Sequence, residues 1–153
     1  MSLWLKLFAD EICCVIRAKE VVCVLPRVEL SPVAGLPQYL CGQLVYQGHP
    51  VPVLDLCQLI QGRPSKVAYS SRIILVSYPH KPGQTTLLGI LAERVTNAVR
   101  DESLDFTDSV LAEGKFIDGQ CTTENGLMRA LSVENLLDEE LRESLFESHE
   151  APH

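Results

Sequence analysis

The chain has 153 residues, 46% of them hydrophobic and 22% charged, which suits one compact domain, or two small barrels sharing a core, and excludes a disordered chain. Its net charge of −7 is placed unevenly: residues 1–133 carry 12 basic against 13 acidic groups, whereas residues 134–153 carry Arg142 alone against seven acids. A near-neutral body with an acidic tail lacks the basic footprint of a nucleic-acid or anionic-membrane binder, and no apolar run reaches the roughly 18–20 residues of a membrane span. No basic-then-apolar leader opens the chain, so the expected compartment is the cytoplasm.

Strand signals dominate the chain order. Leu3 to Phe8 alternates, and Ile12 to Ile16 and Val21 to Leu25 are rich in β-branched residues. Leu44 to Tyr46, a Gln47-Gly48 turn and Val51 to Leu54 read as a hairpin. Pro50 and Pro52 cannot donate to a ladder, which argues for an edge strand or a strand entrance. Asp55 is placed to cap a short helix running to Ile60 and ending at Gly62.

After a polar break at Gln61 to Lys66, strands are expected at Arg72 to Tyr78, Thr85 to Leu91 and Val95 to Val99. Pro79 to Gly83 is read as a loop and Asp101 to Glu113 as an acidic surface connection. Phe116-Ile117 and Leu127 to Leu131 bring the series to about ten short strands, the pattern of barrels or sandwiches. Ser132 then reads as the N-cap of a C-terminal helix. Val133, Leu136, Leu137, Leu141 and Leu145 form its docked stripe, acids cover its other face, and residues 148–153 are expected to fray.

An internal repeat underlies this order. Tyr39-Leu40-Cys41-Gly42 matches Phe116-Ile117-Asp118-Gly119, and Asp55 to Ile60 matches Ser132 to Leu137, both at an offset of 77 residues (39 to 116, 55 to 132). A glycine-marked turn stands between the members of each copy, at Gly48 and Gly126. Two coincidences at one offset imply duplication of a strand–turn–strand–helix unit, and hence two small barrels packed side by side.

Taken together, Phe8, Val21 to Val24, Pro37, Tyr39 to Gly42, Leu44 to Leu56, Leu88 to Val95, Phe116 to Gly119 and Glu134 to Leu137 resemble, in order and spacing, the signature of CheW-like chemotaxis coupling domains. That resemblance implies a mainly β fold of two SH3-like five-stranded barrels with strands exchanged between them, plus the C-terminal helix. It implies a single domain over residues 1–147. The first barrel centres on about 17–75 and the second on about 76–137, with the N-terminal strands contributing to the second. It further implies a non-enzymatic adaptor that joins the cytoplasmic tip of a chemoreceptor to the regulatory domain of a CheA-type histidine kinase, without cofactor, metal or nucleic acid and without membrane insertion.

Carried over by position, Val21, Cys23, Val24 and Gln47 fall on a first-barrel surface, Ile73, Leu88 and Gly89 in a groove between barrels, and Gly42 at a turn. The family's glutamate and turn arginine, expected to pair as ions, are Cys23 and Gln47 here. Losing both partners leaves a neutral surface and suggests, as an alternative, a divergent paralogue that binds receptor without kinase.

Catalytic motifs are missing: there is no P-loop, G-x-G-x-x-G, G-x-S-x-G or H-E-x-x-H. The cysteines Cys13, Cys14, Cys23, Cys41, Cys57 and Cys121 form no C-x-x-C pair and sit mostly in apolar runs, as small core hydrophobes of a reducing compartment do. One enzyme reading stays open at this point, a cysteine nucleophile at Cys41 or Cys57 activated by His49.

Overall fold

In the computed structural model the described residues are 3–66, 68–79, 86–100, 106, 116–123 and 126–146. The connection over 101–113 (apart from Phe106), most of the 79–83 loop and the 148–153 tail lie outside them, as do His80, His149 and His153.

The alternating and β-branched runs form ten strands: β1 Leu3–Ala9, β2 Ile12–Arg17, β3 Val21–Pro26, β4 Leu40–Tyr46, β5 His49–Asp55, β6 Arg72–Tyr78, β7 Thr86–Ala92, β8 Arg94–Arg100, β9 Ile117–Thr123 and β10 Gly126–Leu131. Two short helices accompany them, α1 Leu56–Gln61 and α2 Glu139–Phe146. The strands make two five-stranded sheets, β3-β6-β7-β5-β4 and β8-β1-β2-β10-β9. In each, three antiparallel pairings surround one parallel pairing, β5 with β7 and β10 with β2. The first sheet runs through the chain to Ala92, and the second takes strands from both ends.

The repeat survives in the hydrogen-bond register. Hairpin β4–β5 pairs Leu40 with Leu54, Gly42 with Val53, Gln43 with Pro52, Leu44 with Val51, Val45 with Pro50 and Tyr46 with His49. Adding 77 to each number gives the pairing of β9 with β10, from Ile117 with Leu131 to Thr123 with Gly126. Both hairpins skip one residue at the same place, Cys41 and Asp118. Both are tied off alike: Asp55 N–H donates to Tyr39 O at 2.6 Å and Ser132 N–H to Phe116 O at 2.8 Å.

Several local readings hold and others need correction. Asp55 caps α1 as expected, accepting from Cys57 N–H at 3.1 Å and Ser65 N–H at 2.9 Å, and Gly62 ends the helix at φ +72°. The proline-bearing strand β5 is not an edge, because it lies between β7 and β4. Its pairing with β7 begins only at Val53, so Pro50 and Pro52 occupy the strand entrance, where the β7 side is still open. Strand β9 extends to Thr123 through polar residues that gave no strand signal.

The C-terminal helix does not begin at Ser132. A 3-10 turn, Val133–Asn135, intervenes, and the Ser132 hydroxyl accepts from the Asn135 amide instead of capping. The cap is Asp138, whose carboxylate accepts from Leu141 N–H at 2.7 Å. Eight residues are too few for a helix to persist alone. Burial of Leu141, Leu145 and Phe146, worth about 1.5–3 kcal/mol each, holds α2 in place. Arg142 donates to the Tyr78 hydroxyl at 3.0 Å and fixes its orientation.

The main core lies between the sheets. Leu7, Ala9, Cys14 and Ile16 from one meet Leu54, Ile74, Val76, Leu88, Ile90 and Ala92 from the other, closed by Leu136, Leu137 and α2. The opposite faces are buried too, in a cluster of Leu44, Val51, Val53, Ile73 and Leu75 and another of Trp4, Val15, Met128 and Ala130. That two-sided burial explains the unbroken apolar run Ile73 to Val76 in β6.

The sheets join at Glu93, between β7 and β8. Its backbone N–H donates to Phe8 O at 3.0 Å, and its carbonyl accepts from Ser70 Oγ at 2.8 Å. Its carboxylate accepts from Asp10 N–H at 2.7 Å, from the Arg63 guanidinium at 3.3 and 3.4 Å, and from Lys66 N–H. Burial alone would raise the Glu93 pKa. The bonds from Arg63, Lys66, Cys57 and Asp10 outweigh it and bring it down to about 2. With the folded pKa depressed, this stabilisation is complete above the unfolded value of about 4.3 and is lost as pH falls toward 2. Glu93→Gln should therefore cost about 2 kcal/mol at neutral pH and flatten the stability profile between pH 5 and about 2. Urea melts of both chains across that range test this, and parallel profiles would refute it.

Candidate functional site

The first sheet curls so that its two edge strands approach each other. Beyond β3, Ser31 exchanges both backbone hydrogen bonds with Gln43 of β4, at 2.8 and 2.9 Å. Gly42 makes this approach possible. Its φ is +151°, and a Cβ there would stand 2.7 Å from Ser31 O and 2.9 Å from Leu30 Cβ. Farther along the same seam, the Cys23 thiol hydrogen-bonds the Tyr46 hydroxyl, and this bond holds the phenol above its ordinary pKa.

Cys23 and Tyr46 pack against the inner cluster of the first sheet, so the residues flanking them point outward. Val22 sits on a bulge between Val21 and Cys23 and is 46% exposed, Val24 is 42% exposed and Val45 is 75% exposed. Gln47 and Gly48, at φ +50° and +82°, form the two-residue turn at the end of the β4–β5 hairpin, with Gln47 exposed. The seam therefore carries an uncharged aliphatic face with a neutral turn at its end. In an otherwise charged surface, such a face fits a protein partner better than a small polar ligand.

Of the residues singled out from sequence, Cys23, Val24 and Gln47 meet on this seam, and Gly42 lies beneath it. Val21 is half-buried against the main core. Among the described residues, Ile73, Leu88 and Gly89 line no groove between the two sheets. Ile73 has no exposure within the inner cluster, and Leu88 has none within the main core. A Cβ on Gly89 would press on Val53 at 3.0 Å and Ile73 at 3.3 Å. Sequence reasoning missed Val22, Val45 and Tyr46 as site residues. Their signal was the alternation itself, which turns Val45 opposite to Leu44 and Tyr46.

The cysteine–histidine pairing does not form. All six cysteines are free thiols. His49 begins β5 while Asp55 ends it, so His49 lies about 20 Å along the strand from the α1 cap next to Cys57. The Cys41 thiol instead donates to Val53 O at 3.5 Å. Burial, aided by the Asp55 charge, pushes the Cys41 thiol up to about 11, and burial raises Cys57 as well. Both shifts run opposite to those of an activated nucleophile.

The CheW-like domain family model matches residues 5–141, and the chain belongs to that family. Among solved structures, the scaffolding protein TtCheW from Thermoanaerobacter tengcongensis is similar, with a TM-score of 0.76 over 90% of this chain and 88% of that one. At 18% identity this likeness speaks for the fold. No match was found among curated proteins. None of the helices in the described residues is long and apolar enough to cross a membrane.

Two outcomes follow from the seam and the thiols. Gly42→Ala should destabilise the protein by about 1–3 kcal/mol and break the Ser31–Gln43 bridge, seen as faster amide exchange at both residues. An unchanged exchange pattern would refute that account. Cys41 and Cys57 should alkylate with iodoacetamide at neutral pH at least about tenfold more slowly than free cysteine. Fast labelling of either would reopen the nucleophile reading.

Proposed function

We propose that this protein is a non-enzymatic adaptor of a bacterial chemosensory pathway, coupling the cytoplasmic tip of a methyl-accepting chemoreceptor to the regulatory domain of a CheA-type histidine kinase in the cytoplasm. Membership of the CheW-like family gives the class, and the exposed aliphatic face at Val22, Val24 and Val45 is the observation that carries the reading. On it, Val24 and Gln47 touch the partner, and Cys23, bonded to Tyr46, sets the spacing of the two edges beneath them. Val21 and Gly42 hold the face in shape, while Ile73, Leu88 and Gly89 support it from the core.

The same proposal treats residues 1–147 as one domain of two SH3-like barrels, with β1 and β2 exchanged into the second. The Ser31–Gln43 bridge and the Cys23–Tyr46 contact, which draw the edges of the first sheet together, support it. A second reading, a paralogue that binds receptor without kinase, is favoured by one feature. The ion pair expected in the family at this surface is replaced by Cys23 and Gln47, and Cys23 bonds to Tyr46 instead.

Val24→Asp and Gln47→Glu each place a charge on the face at a solvent-exposed site. Each should abolish recovery of kinase and receptor from host lysate while shifting Tm by no more than about 2 °C. Recovery of receptor but no kinase by the unmodified protein would select the second reading. Undiminished capture by both variants would remove the function from this face.

A further inference from the structure

A groove at the other end of β3 belongs to none of the features above. It runs between the chain leaving β3 and the loop before β6, as an open compartment of about 580 Å³ that continues past Arg27 and Ser71 into a smaller one of about 220 Å³. The larger part is framed by Arg27, Tyr69 and Arg72. The smaller has an apolar floor of Leu30 and Leu91, with Lys66 and Glu29 on its walls.

Its two arginines have no carboxylate partner among the described residues, where the ion pairs formed are those of Arg63 with Asp10 and Glu93. Arg72 donates to the carbonyls of Tyr69 and Ser71, which fixes its guanidinium without neutralising it. The Tyr69 side chain stands fully exposed beside it, at 102%. An immobilised cation, a second unpaired cation and a bare aromatic ring next to an apolar floor form an unusual combination on a chain of net charge −7. A carboxylate is the group that a guanidinium fork binds through two parallel hydrogen bonds.

We propose that this groove binds an extended acidic segment of a partner protein. A carboxylate of that segment lies against Arg27 and Arg72, and a neighbouring aliphatic side chain rests over Leu30 and Leu91. Three cations against one acid on the groove walls set the sign of the ligand. The apolar floor selects a peptide over a bare anion.

The test is an amide-resolved NMR titration of the whole protein with an end-capped hexapeptide of alternating glutamate and leucine, alongside its lysine–leucine counterpart and inorganic phosphate. Saturable shifts at Arg27, Tyr69 and Arg72 with the glutamate peptide alone are expected. Arg27→Glu should weaken binding about tenfold or more. Arg72→Lys, which keeps the charge but removes the fork and preserves the strand, should weaken it by a smaller factor. Absence of saturation, shifts centred on Val24 and Val45, equal binding of the lysine peptide or of phosphate, or undiminished binding by Arg27→Glu would each overturn the proposal. Neither result bears on the adaptor reading, because Val22, Val24 and Val45 lie outside this groove.

Discussion

One carboxylate holds the two halves of this molecule in a fixed relation. Glu93 stands where the chain leaves one sheet for the other, and its side chain gathers the β1–β2 turn and the chain following α1, Arg63 included, around a single negative charge. The donors come from two segments far apart in sequence, Asp10 and Arg63–Lys66, so the charge links elements that no strand pairing joins. The strongly lowered pKa records how many donors converge there. The hydrophobic core between the sheets supplies most of the adhesion, but apolar contact is non-directional. The directional bonds at Glu93 select one arrangement among those the core would allow.

β3 and β4 approach each other only because the first sheet is curled, and the curl rests on a position where a side chain has no room. An aliphatic face built on two strand edges would be an aggregation hazard if it were long and flat. Here the bulge at Val22, Pro26 at the end of β3 and the tight turn at Gln47-Gly48 keep it short. Cys23 and Tyr46 form a neutral contact across the seam.

Much of the architecture was legible in the residues, for identifiable reasons. Strands such as β1, β3 and β6 alternate or run apolar because one or both faces are buried, and burial is what periodicity reports. The repeat was legible because duplicated turns keep their glycines and caps. β9 was not, since Asp118, Gln120 and Thr122 carry no apolar pattern and the strand is held by its partner β10. The start of α2 differs from the expectation because the Ser132 hydroxyl, a good cap by composition, accepts from the Asn135 amide, and the chain first makes the 3-10 turn Val133–Asn135. The site was half legible. Cys23, Val24 and Gln47 could be placed by resemblance, but burial of Ile73 and Leu88 could not, because an apolar side chain suits a core and an interface equally. The Cys23–Tyr46 contact pairs residues 23 positions apart, and nothing in the local sequence announces it.

The division of strands between the sheets also sets an order of assembly. Every strand of the first sheet lies within Val21–Ala92, so that sheet can complete itself while the rest of the chain is still being made. The second cannot. β1 and β2 are made well before their partners β8 and β10, which follow about 86 to 115 residues later. During that interval Leu5, Leu7, Val15 and Ile16 have no sheet to join, and closing so long a loop is slow. The β1–β2 hairpin therefore stays exposed until β8 and β10 are made, and over that interval the nascent protein is most in need of a chaperone.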